Sequence, residues 1–389
     1  GVARVALQDP QMALPGLPVF RLDDVTVDDR TASAPGPVAA VLPEALCRIA
    51  FSSGTSGDPK GMAMSHRLLA LRVQHNSDAQ AGNSRLLPMD INFGAGLIPA
   101  LVTLSVGGAV LFPAGMEIGA LCETALVLGA THWDIAPAQG ESLAALITTD
   151  GPRLPSLLAL RVFGGHIAPR LQELLRRRIT PQITTAYGTT ETGFLSLADA
   201  QTLARHPDSV GRIPPWAEVQ VVDTGNRPLP PGQQGRLRLR AEGMVSGYWH
   251  DPEATARRFQ DGWYVPGDLG RVDAEGLLYI AGREDDVLNV GGLKVNPDEV
   301  EAALCAHAAV VEAGAFAHVL ADGREILAAA LVLGSGGTLD AVQAHARTAL
   351  GPFAPAAYVL ARQLPRTPSG KLQRHRLAEL ISPAGTPAS

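Results

Sequence analysis

Apolar and polar positions change rhythm several times along the chain. "CRIAF" (47–51) reads as a short buried strand. A glycine-rich loop follows, and Ser65 is placed to cap a helix running to about residue 76. That order, strand then Gly-rich loop then helix, presents backbone N–H groups to phosphate. Between 86 and 165, apolar runs such as "GGAVLFP" and "LRVFGG" alternate with Gly and Pro breaks, the texture of buried strands in an α/β layer. "LQELLRRRI" (171–179) is an amphipathic helix with a basic face, and "ITTAYGTTETG" (183–193) is a β-branched strand entering a polar loop. From 217 to 280, "AEVQVVD", "GRLRLRA" and "GLLYIAG" are short strands between Gly, Pro and Asp turns, which predicts a small antiparallel sheet or barrel.

After Gly282 the pattern changes again. "NPDEVEAALCAH" (296–307) is a helix with Pro297 at its start and acids in its first turn. Two strands (309–316 and 326–333), a helix (338–350) and a strand near 357–361 complete an α+β unit. The expected class is α/β, with a boundary in "GREDD" dividing a large domain of αβ layers and a barrel-like β-subdomain (1–281) from a small α+β domain (282–389). No internal repeat is found.

Composition narrows the function more than the fold. With 389 residues, 46% hydrophobic and 18% charged, the chain has ample core material and more length than one ordinary domain. A formal net charge of −6 argues against nucleic acid or an anionic membrane surface as the main partner. No apolar run reaches bilayer-spanning length, and "GVARVALQDP" does not read as a signal peptide. Cys47, Cys122 and Cys305 lack metal-type spacing and read as buried thiols in a reducing, cytoplasmic compartment. Of 32 Lys plus Arg, only Lys60, Lys294 and Lys371 are lysines, and all three sit in glycine-containing segments: "DPKGM", "GGLKV" and "SGKLQ". A flexible ammonium reaches a single oxygen where a planar guanidinium does not fit.

The loop "GTSGDPKG" fails the P-loop template, because Lys60 follows Pro59 and precedes Gly61-Met62. Other segments add chemistry. "YGTTETG" (187–193) puts a Tyr, Thr hydroxyls and a carboxylate in one turn, which suits Mg²⁺ bridging phosphate oxygens. "WYVPGDLG" (263–270) offers Asp268 on a glycine turn, where a carboxylate can accept two ribose hydroxyl bonds. "AGREDDVLNVGGLKVNPDEVE" (281–301) adds Arg283 and the carboxylates of Glu284, Asp285 and Asp286 before a Gly-Gly turn, and "LPRTPSGKLQR" (364–374) carries Lys371 in a Pro/Gly/Ser loop.

In this order and spacing the motifs resemble the adenylate-forming (AMP-binding) superfamily: acyl- and aryl-CoA synthetases, peptide-synthetase adenylation domains and luciferases. The resemblance runs from about residue 45 to about 375, and "DSVGRIPPWAEVQVVD" (208–223) and "GYWHDPEATARRF" (247–259) fit it too. It implies that a carboxylic acid reacts with ATP to an acyl-adenylate, releasing pyrophosphate, and that a thiol then takes the acyl group. By the match, Ser52, Ser53, Gly54, Thr55, Ser56, Gly57 and Lys60 grip the β- and γ-phosphates. Thr190 touches the α-phosphate, Glu191 holds Mg²⁺, and Gly188 and Thr189 belong to the same nucleotide-binding turn. Tyr187 packs on adenine opposite the backbone of Gly164, Gly165 and His166, while Asp268 and Arg283 take the ribose hydroxyls. Lys371 bridges the carboxylate and the α-phosphate, Asp285 is the hinge of a mobile C-terminal lid, and Gly291, Gly292 and Lys294 line the thiol's tunnel. The implied cofactors are ATP, Mg²⁺ and coenzyme A or a carrier-protein phosphopantetheine.

Three departures bear on the expectation. The glycine loop begins near residue 52, earlier than in the family, so the first subdomain is expected to be incomplete, with an exposed apolar face or a partner or second copy covering it. Pro266 replaces the Thr of the usual W-x-T-G-D, with Asp268 intact. The acyl-pocket segment "LPMDINFGAGL" (87–97) contains Asp90 and Phe93; Asp90 either pairs with a substrate ammonium or is a solvated turn residue. Gly188 stands where acetate-type members carry Trp, which points to a medium-to-long or aryl acid. The leading expectation is an acyl-CoA synthetase-like ligase; the alternatives are a ligase loading a carrier protein and a truncated, non-catalytic binding protein.

Overall fold

The computed structural model describes residues 5–6, 19–20, 40–51, 60–76, 80–113, 115–149, 153–165, 167–284, 286–290, 293–320, 322–334, 336–366 and 372–381. Gly1–Leu42 forms one compact unit and Pro43–Ser389 another. In the first, β1 (Val5–Ala6) pairs in parallel with β2 (Val19–Phe20).

The second unit opens with β3 (Leu46–Phe51) and β4 (Gly61–Ser65), an antiparallel pair. α1 (His66–His75) follows at once, and the Ser65 hydroxyl accepts from Leu68 N–H as predicted. β4 corrects the expected order, because the glycine loop joins two strands and does not open a helix. "GMAMS" alternates, burying Met62 and Met64 on one face, and period two makes it a strand. "CRIAF" is a strand, but only Ala50 in it is fully buried.

A parallel layer comes next: β5 (Ser84–Leu86), α2 (Gly94–Ser105), β6 (Ala109–Leu111), α3 (Ile118–Val127), β7 (His132–Ile135), α4 (Pro137–Leu146), β8 (Ala159–Phe163), α5 (Pro169–Arg178) and β9 (Ile183–Thr189). The strands lie in the order β6-β5-β7-β8-β9, all parallel. Leu86, Trp133, Ile135, Leu160 and Val162 form one core with Leu121, Leu143, Leu171 and Leu175 from α3, α4 and α5. α5 carries three of its four arginines at the last turn, where they complement the helix dipole.

β10 (Gly193–Ala198) folds back antiparallel on β9. α6 (Ala200–Arg205), β11 (Gly211–Arg212), β12 (Ala217–Val222), β13 (Gly235–Ala241), α7 (Pro252–Arg258), β14 (Phe259–Gln260), β15 (Trp263–Tyr264), β16 (Asp268–Val272) and β17 (Leu277–Arg283) follow. The antiparallel strands of this part are not a separate sheet. β11 bridges β10 to β17, so parallel and antiparallel strands form one thirteen-stranded sheet among the described residues. Then come β18 (Leu288–Val290), β19 (Leu293–Val295), α8 (Pro297–Cys305), β20 (Val310–Val319), β21 (Glu325–Leu333), α9 (Leu339–Leu350) and β22 (Ala357–Leu360). β20, β21 and β22 form a sheet of their own with a separate core around Val300, Leu304, Ala329 and Leu331. Cys122 is buried, Cys47 and Cys305 are half-buried, and all three are free thiols. At and near β6, the last strand on its side of the sheet, Leu104, Phe112 and Met116 are exposed. Among the described residues no helix is long and apolar enough to cross a membrane.

α5 meets β20 through a polar contact, beside an ion pair made by Glu312 of β20 itself. Arg170 Nη1 donates to the Val310 carbonyl at 3.0 Å, and Arg366 Nη2 lies 3.1 Å from Glu312 Oε2. Burial pushes the Glu141 carboxyl from its ordinary 4.5 up to about 7; Arg170 and Arg366 pull it down and Glu312 pushes it further up. A carboxyl whose folded pKa is raised contributes stability below its unfolded pKa and loses it as pH climbs through the folded one. Denaturant titrations of the wild type and Glu141→Gln are therefore expected to diverge with pH. The wild type would lose up to about 3 kcal/mol relative to the variant between pH 4.5 and 8. A difference independent of pH would show that Glu141 carries no such linkage.

Candidate active site

The described motif residues converge at the carboxyl ends of β8 and β9, where open α/β sheets bind ligands. Gly164 and Gly165 follow directly on Phe163, the last residue of β8. Gly164 has φ +83°, and a Cβ on Gly165 would stand 3.3 Å from Pro137 of α4, so both positions favour glycine. β9 ends in Tyr187-Gly188-Thr189, one strand away.

β9 and the β16–β17 pair bring three of the predicted residues into direct contact. Asp268 and Arg283 face each other in register, with Arg283 Nε 3.5 Å from Asp268 Oδ1. The Tyr187 hydroxyl donates to Asp268 Oδ2 at 2.5 Å. Burial, and then the Asp268 charge, push Tyr187 well above the ordinary tyrosine range, so it stays a proton donor. The tyrosine ring is thereby fixed, and both Asp268 oxygens are oriented by neighbours while the side chain keeps some exposure.

The turn between β9 and β10 holds the carboxylate that suits a cation. Glu191 is 6% exposed, and its Oε1 accepts from the Tyr248 hydroxyl at 2.8 Å. Burial and the Glu191 charge push both Tyr248 and Tyr264 above the ordinary range. Lys60 Nζ stands 5.1 Å from the centre of the Tyr248 ring, so one aromatic side chain contacts both the lysine of the glycine loop and the turn's carboxylate. Thr189 Oγ1 and Thr192 Oγ1 lie 3.0 Å apart and tighten the turn. A single carboxylate amid hydroxyls fits Mg²⁺ carried in with a polyphosphate, since that ion usually takes one or two carboxylates with substrate phosphates and water.

Arg72 was missed by the sequence reading. It is buried on α1, and its guanidinium donates to the carbonyls of Gly243, Thr190 and Glu191 at 2.8, 3.0 and 2.8 Å. Burial lowers it to about 10, with the Glu191 charge opposing the fall, so it remains a cation at neutral pH. Its signal lay in spacing: Ser65, Leu68, Leu69, Arg72 and Val73 share the inward stripe of the helix.

Other predicted residues have surroundings that differ from the expectation or lie outside the contacts above. Asp90 is exposed and its Oδ1 accepts from Asn92 N–H at 2.8 Å, an Asx turn before α2, which is the solvated of its two readings. Phe93, the residue before α2, is 47% exposed. A Cβ on Gly188 would come within 2.4 Å of the Gly193 carbonyl, so β10's backbone already demands glycine there and the residue is no sign of room for an acyl chain. Lys294 is exposed on β19. Ser52, Ser53, Gly54, Thr55, Ser56, Gly57, His166, Asp285, Gly291, Gly292 and Lys371 lie outside the described residues.

Comparison with known proteins agrees with this geometry. Residues 8–249 match the AMP-binding enzyme family and residues 299–371 the AMP-binding enzyme C-terminal domain. The chain is 29% identical to a sulfoacetate–CoA ligase of Cupriavidus necator, over 89% of this chain and 69% of that protein. It is 30% identical to a 2-succinylbenzoate–CoA ligase of Bacillus velezensis, over 91% of this chain and 73% of the other. Its fold matches the amide bond synthetase McbA of Marinactinospora thermotolerans with a TM-score of 0.81 at 29% identity, covering 94% of this chain and 76% of that one. With motifs, site geometry and these matches in agreement, the chain belongs to the AMP-binding enzyme family of the adenylate-forming superfamily.

Proposed function

We propose that the protein is an acid–thiol ligase: it activates a carboxylic acid with ATP to an acyl-adenylate and transfers the acyl group to a thiol. A carboxylate oxygen forms a bond to the α-phosphorus as the bond to the pyrophosphate oxygen breaks. The thiol sulfur then bonds the acyl carbon as AMP leaves, its proton passing to solvent. The observation that carries this reading is the Tyr187–Asp268–Arg283 contact beside Gly164 and Gly165. It is a ready-made seat for a ribose and a flat base.

The chain's residues divide the work as follows. Asp268 and Arg283 take the ribose hydroxyls, and the fixed Tyr187 ring covers adenine opposite Gly164, Gly165 and His166. Ser52, Ser53, Gly54, Thr55, Ser56, Gly57 and Lys60 hold the β- and γ-phosphates. Gly188, Thr189 and Thr190 border the α-phosphate. Glu191 would hold Mg²⁺, which would supply positive charge to the polyphosphate. Lys371 holds the acid's carboxylate against the α-phosphorus, offsetting the repulsion between two anions. Residues 1–281 bind ATP and acid; 282–389 form the lid, swinging about Asp285 to bring Gly291, Gly292 and Lys294 to the thiol.

Coenzyme A is the acceptor favoured here, with carrier-protein phosphopantetheine as its rival, because the two relatives named above are CoA ligases. The acid is aryl or medium-to-long chain, a reading that now rests on the succinylbenzoate relative and no longer on Gly188. A second copy of the chain covering Leu104, Phe112 and Met116 belongs to the same proposal, tested by light scattering.

Acid-dependent ATP–pyrophosphate exchange over fatty, aryl and amino acids and acetate tests the reading. Exchange is expected with at least one aryl or longer acid. Silence across the panel by a folded protein would sink the ligase reading, and turnover of acetate alone would sink the acid class. Mass spectrometry of products formed with CoA, a holo carrier protein and an amine then identifies the acceptor.

A further inference from the structure

Arg72 is a buried guanidinium whose three recorded bonds all go to main-chain oxygens. Two of these belong to Thr190 and Glu191, the turn read above as the Mg²⁺ and α-phosphate site; the third belongs to Gly243, some fifty residues further on. A desolvated cation is costly unless its charge and donors are satisfied. Here the fork fits three carbonyls at once, a geometry a lysine cannot copy. Two glycines border the side chain, and Gly243 leaves it room. A Cβ on Gly243 would lie 3.2 Å from Arg72 Cγ, and one on Gly193, whose φ is +75°, would lie 3.5 Å from Arg72 Nε. The Glu191 carbonyl is held a second time, by Val245 N–H at 2.9 Å, and the Glu191 carboxylate is held by Tyr248 at 2.8 Å. The turn is thus held at its backbone by α1 and Val245 and at its side chain by Tyr248.

α1 begins at the end of β4, the strand that leaves the glycine loop. The helix that grips the Glu191 turn therefore follows directly in the chain on the strand that begins one residue after Lys60.

We propose that Arg72 is a positioning residue: by fixing the backbone of Thr190 and Glu191 it holds the Glu191 carboxylate where it meets Mg·ATP. The proposal rests on the reading of Glu191 given under the proposed function. Partners that orient a metal-holding group are usually worth about 10- to 100-fold in affinity or activity.

The test uses the full chain with Arg72→Lys, which keeps the charge and loses the fork. Calorimetry with ATP plus Mg²⁺ is expected to show affinity lower by about 10- to 100-fold. ATP affinity in EDTA is expected to fall far less, because without the cation the Glu191 carboxylate contributes nothing and the nucleotide meets the turn through Thr190. In pyrophosphate exchange the KM for Mg·ATP should rise while the KM for the acid holds. Unchanged Mg·ATP affinity would overturn the proposal. So would equal losses with and without Mg²⁺ and for the acid, because a purely structural role loosens everything alike. If Arg72→Lys does not fold, Gly243→Ala replaces it, since the added methyl crowds Arg72 without removing it. It should lower Mg·ATP affinity a few-fold, with ATP in EDTA again affected far less, and unchanged Mg·ATP affinity would count against the idea. A wild type silent in exchange but binding ATP in a Mg²⁺-dependent way would sink the ligase reading and leave Arg72 to the binding arm. A wild type that binds no Mg·ATP sinks both.

Discussion

Replacing Lys371 by Ala is expected to cut acid-dependent ATP–pyrophosphate exchange by about 100- to 1,000-fold or more, while the dissociation constant for Mg·ATP stays within about twofold. The argument is electrostatic. The acid's carboxylate must approach a polyphosphate that repels it, and charge builds on the α-phosphorus oxygens as it does so. A cation reaching both groups acts mainly in the transition state, so its loss falls on turnover rather than on nucleotide binding. The flanks suit such a role. Arg366 and Leu372 form a β-bridge, and Gln373 N–H donates to the Pro365 carbonyl at 2.9 Å, so both ends of the lysine's segment are brought together. Arg374, three residues beyond Lys371, pairs with Asp298 and with Glu301 of α8, the latter at 2.9 Å, and lies 3.7 Å from Asp286, the residue after the proposed hinge. Lys371→Arg is expected to recover only part of the rate, since a planar fork does not substitute for a point charge bridging two oxygens. Exchange at the wild-type rate in Lys371→Ala would refute the role. Loss of ATP binding in step with exchange would recast Lys371 as a nucleotide-binding group.

Much of this was legible in the sequence, for reasons that can be named. Ser65, Pro297 and the β-branched run before Tyr187 carry local signals whose physics acts within a few residues, and the cap, helix start and strand stand where those signals put them. The motifs also pointed to residues that the fold joins over long separations: Tyr187 and Asp268 are 81 residues apart in the chain and share a hydrogen bond. What stayed hidden depends on partners that no local pattern announces. β4 is five residues between a loop and a helix cap, too short for its alternation to register. The fusion of two strand sets into one sheet turns on β11, a two-residue strand. Gly188 invited a reading as empty space because only the fold shows that β10's backbone fills it. The spacing of α1 places Arg72 on its inward face, but what it does there comes from carbonyls more than a hundred residues away.

The largest stability effect is expected at a second buried charge cluster the sequence did not disclose. Asp134 on β7 is 1% exposed and bonds Arg161 of β8 through both oxygens at 2.9 Å, and Arg85 of β5 at 2.8 Å. Burial pushes the Asp134 carboxyl up, but the Arg161 and Arg85 guanidiniums more than offset this and hold it below the usual range. Arg85 Nε also donates to Thr103 Oγ1 at 3.0 Å, and that hydroxyl donates to the Pro99 carbonyl inside α2, tying the sheet to the helix. Arg161 sits over the Phe194 ring of β10 at 5.0 Å. Three adjacent strands, one helix and the turn-bearing hairpin of the site thus depend on one carboxylate. Asp134→Ala leaves two desolvated cations without their counter-charge, and urea titration is expected to show a loss of about 3–5 kcal/mol, a large share of a typical domain's stability. Replacing all three residues together by Leu and Met is expected to cost far less and can even stabilise, because the burial penalty vanishes with the charges. A small loss in Asp134→Ala would show that the two arginines reach other acceptors. An equal loss in the single and triple variants would place the effect in packing, not in charge.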